Sequence, residues 1–165
     1  MGTTFVTMSD DASVNDHGFW MSDAMLELWL RLLALHLPEP TGDGEHQASL
    51  TIRNKWLLAS RGYFMGCIPH GMNGLSATEA GRAVVRLAIA SLLDTLQTSE
   101  NPLDADTLNL LGIAGTFTKP IERQWLREIG WAFLDLLDGK ITDTAASADI
   151  MPGSFPYQRR CATKG

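Results

Sequence analysis

The sequence predicts an all-α fold, an irregular bundle of four to six helices in a single domain. Three observations lead there. Apolar residues recur at three- and four-residue spacing in several separate windows, which is the period of a helix packed on one face. Helix start and stop residues bracket those windows. The 165-residue chain is 45% apolar and 19% charged, an ordinary globular balance for one domain, with no repeat or low-complexity stretch.

Residues 1–21 are polar and without helical period, and read as a loosely packed N-terminal arm with one possible short strand at Thr3–Met8. Residues 22–139 read as the helical domain, and 140–165 as a mostly irregular C-terminal tail. The first helix starts at Ser22 or Asp23, either of which can cap it. Asp23, Glu27 and Arg31 form a polar stripe four residues apart, and nearly everything else to Leu37 is Leu, Met, Trp or Ala. Such a helix belongs in the middle of a bundle or under a partner. Pro38 and Pro40 stop it.

A second helix is expected from about Ser49 to Arg61, with Ile52, Trp56 and Ala59 on one face and Gly62 as its stop. The glycines of Tyr63–Leu75 predict a structured loop anchored by Phe64, Met65, Ile68 and Met72. Ser76-Ala77-Thr78-Glu79 fits a capping box for a third helix, whose inner face is predicted as Ala80, Val84, Leu87, Ser91, Leu92 and Leu96. A short helix follows at Asp104–Leu111. Pro120 then opens the last strong one, with Ile121, Trp125, Ile129, Phe133 and Leu136 as its apolar stripe. Thr142–Ile150 reads as one weak helix, and residues 151–165 as a fraying end.

Composition narrows the function. Two cysteines far apart make no disulfide framework, and the N-terminus carries Asp10, Asp11 and Asp16 where a leader would be basic and apolar. No stretch is long and uncharged enough to span a bilayer. A cytoplasmic protein is expected. Its net charge of −6 disfavours nucleic acid as a partner and favours a basic protein. The acids are uneven: residues 1–45 hold eight against Arg31 alone, and residues 93–111 hold four with no base.

No catalytic or cofactor constellation assembles. Cys67 and His70 have C-x-x-H spacing without a second pair for a metal, and they lack an orienting third group for thiolate catalysis. They remain the alternative reading, a small helical enzyme using this loop. A helical adaptor pairing through its first helix is the other. The glycines at 62, 66, 71 and 74 lack the lysine a phosphate loop needs. Neither cofactor nor metal is expected. Acids in pairs, such as Asp104 with Asp106, read as solvated or capping groups. Of the five tryptophans, Trp29 and Trp125 are expected in the core, and Trp20 and Trp131 are less constrained and suit interface anchors.

The stretch Ile52-Arg53-Asn54-Lys55-Trp56-Leu57-Leu58-Ala59-Ser60-Arg61-Gly62-Tyr63-Phe64-Met65-Gly66-Cys67-Ile68-Pro69-His70, with Gly81-Arg82-Ala83-Val84-Val85 after it, resembles small bacterial immunity proteins. These are helical proteins that accompany contact-dependent and other polymorphic toxins. The resemblance implies a non-enzymatic protein that binds a cognate toxin domain and blocks it. Many such toxins are nucleases with basic grooves, which an acidic inhibitor would meet quickly. The contact candidates are therefore acids: Asp10, Asp11, Asp16, Asp23, Glu39, Asp43, Glu45, Asp94, Glu100, Asp104 and Asp106.

Overall fold

The computed structural model describes residues 2–9, 16–40, 42–62 and 64–162, and of residues 43–47 the backbone only. Its described residues form seven helices and three strands: β1 (Thr3–Thr7), β2 (Gly18–Ser22), α1 (Asp23–Leu35), α2 (Asp43–Ala59), α3 (Met72–Ser76), α4 (Glu79–Gln97), α5 (Ala105–Leu110), α6 (Arg123–Leu137), β3 (Ile150–Met151) and α7 (Phe155–Ala162). The all-α expectation is thus corrected. The fold is mostly helical but mixed, with a three-stranded sheet in the order β1-β2-β3.

β1 and β2 run antiparallel, and β3 joins β2 in parallel. Their inner face, Thr4, Val6, Phe19, Met21 and Met151, is buried against the helices. The described strands of the arm are therefore part of the core, because alternation in Gly18–Ser22 points Phe19 and Met21 inward. β3 is only two residues long, too short for any sequence period, and it exists through pairing with β2. The weak helix expected over 142–150 gives way to this strand and the turn before it.

α1 runs through the middle, with Leu26, Leu28, Trp29, Leu30 and Leu33 fully enclosed. The Ser22 hydroxyl caps it by accepting the Met25 N–H at 3.4 Å. α4 begins two residues later than the capping box predicted. Thr78 is its cap, accepting from Gly81 N at 3.0 Å, whereas the Ser76 hydroxyl donates to the Met8 carbonyl at 2.7 Å. The buried face of α4 is correspondingly Val85, Ala88, Ile89, Leu92, Leu93 and Leu96, and Leu87 faces outward.

α6 packs on α1 and α4 through Gly130. A Cβ there would lie 2.7 Å from Leu93 Cδ2 and 3.2 Å from the Trp29 ring. Leu126, Ile129 and Phe133 face inward, Trp131 is buried on the side of α6 that α7 covers, with Arg160 over its ring, and Trp125 is 43% exposed. Trp125 and Trp131 thus exchange the places their sequence neighbours suggested.

Candidate interaction surface

The polar stripe of α1 is buried. Asp23, Glu27 and Arg31 are each less than a tenth exposed. Each of them fixes loop backbone. Asp23 accepts from the Thr4 hydroxyl at 2.8 Å and from Gly66 N at 2.8 Å, tying β1 and the glycine-rich loop to the start of α1. Glu27 accepts from the Gly115 amide, and burial, with Asp23 nearby, pushes its carboxyl above the ordinary range. Arg31 donates to the Gly112 carbonyl at 2.8 Å. Burial, and then the neighbouring Arg61, lowers its guanidinium pKa. The stripe is thus a fastening for the loops at 64–71 and 112–118, while Leu35 at the end of α1 is 60% exposed.

Cys67 and His70 diverge. Cys67 is exposed, whereas His70 is 8% exposed. The His70 Nδ1 accepts from Met72 N at 3.1 Å, and its other ring nitrogen donates to the Phe5 carbonyl. Its own carbonyl accepts from Trp56 Nε1 at 3.1 Å. Burial drives the imidazole down to about 4, so it is neutral at physiological pH with both nitrogens committed to backbone. It pins the loop across the outer edge of β1, where Ile68 N also donates to the Thr4 hydroxyl at 3.0 Å.

The predicted contact acids separate in space. Asp10 and Asp11, and the side chains of Asp43 and Glu45, lie outside the described residues. Asp16 and Asp23 are buried. Glu39 is exposed, 3.9 Å from Arg53. At the far end of α4, Glu100 meets Arg127 through two bonds of 3.0 Å, which hold its carboxyl below the usual range. Asp104 caps α5, accepting from Thr107 N at 2.8 Å and from its hydroxyl at 2.7 Å, and its carboxyl is lowered too. Asp94 and Asp106 stand exposed. The base-free run at 93–111 is therefore offset in three dimensions, because α6 brings Arg127 and Arg123 alongside, Arg123 Nε donating to the Asn101 carbonyl at 2.7 Å.

A different surface gathers aromatic and acidic groups. On the outer face of the sheet, Phe5, Trp20 and Ile150 are direct cross-strand partners in one row. The Phe5 and Trp20 rings stack at 5.2 Å, tilted by 56°. Trp20 Nε1 donates to the Ala145 carbonyl at 2.9 Å, which fixes the indole, and Ile150 is 59% exposed. The segments that make and flank the sheet, residues 2–9, 16–22 and 141–154, contain Asp16, Asp143 and Asp149 but no lysine or arginine. The link between β1 and β2 adds Asp10 and Asp11 in sequence. The sequence singled out Trp20 but missed Phe5 and Ile150, since only strand pairing aligns positions 5, 20 and 150.

Among the described residues no group of three or more His, Cys, Asp or Glu side chains is placed to hold a metal ion. No described helix is long and apolar enough to cross a membrane. Clefts of about 350 and 280 Å³ with mixed polar and apolar linings lie between α4, α6 and α7 and between the sheet and α7. Comparison with protein-family models, with curated proteins and with solved structures returns no match.

Proposed function

We propose that this chain is a non-catalytic, immunity-type protein that binds a basic toxin domain and neutralises it, with the outer face of the sheet as the contact. One observation carries the reading: the Phe5–Trp20–Ile150 row, a fixed aromatic and aliphatic surface on the outer face of the sheet. Fixed aromatic side chains supply contact area at little entropic cost, and tryptophan is enriched among the residues that dominate binding energy. Their faces also receive Arg and Lys by cation–π contact. The net charge of −6 would steer a basic surface toward the molecule. A nuclease groove, built to hold phosphate, has the complementary chemistry.

The test is co-expression with the product of the adjacent gene, scored for growth rescue and for a one-to-one complex. Rescue with a complex whose association slows steeply with salt supports the reading. Ile150→Lys should then weaken binding by about 100-fold, the scale of a lost hot spot, while Ile150→Leu keeps it. A harmless neighbour that forms no complex counts against the toxin; a complex indifferent to Ile150→Lys counts against the sheet face.

A further inference from the structure

Arg31 carries a charge that the fold encloses without answering. It is 8% exposed, and among the described residues no carboxylate comes within ion-pair distance of it. Glu27, one turn earlier on α1, turns instead to the Gly115 amide. The Nη2 of Arg31 donates to the Gly112 carbonyl at 2.8 Å, its one acceptor among the described residues, and Nε is enclosed with no partner. A guanidinium does not give up its proton in a protein, so this cation cannot neutralise itself. An enclosed charge without a counter-charge is costly to keep, and an orphaned buried donor marks a place where a water or an ion belongs.

A second cation stands beside it. The Ser60 carbonyl accepts from Ala114 N at 2.9 Å, which brings the end of α2 against the same 112–115 loop that Arg31 holds. Arg61, the next residue, is exposed and has no ion pair among the described residues. Its charge is close enough to Arg31 to lower that guanidinium beyond the effect of burial. The segments that meet here, residues 46–78 and 107–121, contain no aspartate or glutamate. In a molecule of net charge −6, two arginines thus converge with no acid of these segments to separate them.

We propose that Arg31 and Arg61 form a binding site for an oxyanion, the phosphate or carboxylate group of a small ligand, where the end of α2 meets the 112–115 loop. Each guanidinium offers N–H groups in a planar fork that matches both kinds of anion. Arg31 is held in place by Gly112 and supplies the preorganised half of the site, and Arg61 closes it from the solvent side. The anion relieves the repulsion between the two cations and neutralises the enclosed one. The site shares no residue with the Phe5–Trp20–Ile150 row and does not depend on the toxin reading.

The probe is inorganic phosphate, titrated into the full-length chain at constant ionic strength, with sodium acetate as a parallel arm. The readout is the Arg31 Nε–H signal in proton–nitrogen correlation NMR, which enclosure protects from exchange and which should shift saturably as the anion binds. Arg61→Gln should weaken that binding about 10-fold, because it removes one of two charged forks. Lys55→Gln takes the same charge from another exposed position on α2 and should change it less than about 2-fold, as expected for a screened charge outside the site. Arg61 makes no side-chain hydrogen bond among the described residues, and a urea midpoint equal to the parent's shows that the variant folds. The tighter of the two anions identifies the group the site takes. No saturable shift with either anion, or equal losses from Arg61→Gln and Lys55→Gln, overturns the proposal and leaves Nε to a buried water.

Discussion

α1 and the sheet distribute polarity in opposite senses. On α1, two acids and an arginine lie inside, each hydrogen-bonded to a neighbouring segment of chain. On the outer face of the sheet, an aromatic pair and an isoleucine form one row, the isoleucine 59% exposed. The difference follows from what each region must satisfy. The loops at 64–71 and 112–118 expose backbone N–H and C=O groups toward the core, and a buried backbone group without a partner costs about as much as a lost hydrogen bond. Charged side chains from the central helix satisfy them. The sheet pairs its strands' backbone, and its open edge at β1 is met by His70, so the outer side chains are not needed for backbone satisfaction. Inward charge here fixes loops; outward apolar surface is available for contact.

The comparison is broken most strongly by acid. His70 shares the inward role, and its folded-state value of about 4 lies below the ordinary 6.5. The neutral form is therefore the one the fold favours. The stabilisation is complete above pH 6.5 and is lost as pH falls from 6.5 toward 4, up to about 3 kcal/mol. Urea unfolding across that range should show the loss, and His70→Gln should flatten it. If the slope survives the substitution, another group is responsible.

Asp23→Ala comes next. It strands Gly66 N and the Thr4 hydroxyl, and should cost about 2 kcal/mol in the same measurement. A cost within about 0.5 kcal/mol would mean that water replaces the carboxylate, as at a surface site.

Glu27 sharpens the contrast with the opposite sign. Its folded value is raised above 4.5, so the protonated form is favoured and its contribution is lost as pH rises through the raised value. Glu27→Gln should therefore gain on the parent from pH 4.5 upward, and a pH-independent difference would contradict the burial argument. The smallest expected effect on stability is at the surface. Ile150→Ser should change unfolding by no more than about 0.5 kcal/mol, although it removes the edge of the aromatic row. A much larger loss would make Ile150 a core residue and remove it from the contact surface.

Much of this was open to sequence reasoning. Leu-rich α1 and its Ser22 cap, the Asp104 start of the short helix, and the Ile129 and Phe133 stripe follow from propensity, capping and period, which are local. So does a strand near Thr3–Thr7. Other features depended on partners far away in the chain. The spacing of Asp23, Glu27 and Arg31 shows a polar stripe, but not that loops from positions 66, 112 and 115 close over it. Trp125 and Trp131 lie six residues apart on α6, and only the packing of α7 over Trp131 decides which of the two is enclosed. The acidic run at 93–111 was legible as letters, but not the arginines of α6 that answer it.

The sequence by itself determined α1, α4, α5 and α6, their approximate ends and the excess of acid, because each depends on neighbours within about one or two turns, whereas α3, α7 and the start of α2 at Asp43 escaped it. Tertiary structure decided the sheet, the inside and outside of its amphipathic elements, and the surface on which Phe5, Trp20 and Ile150 meet. Strand pairing and the desolvation of charge are properties of residues brought together by the fold, and no local pattern carries them.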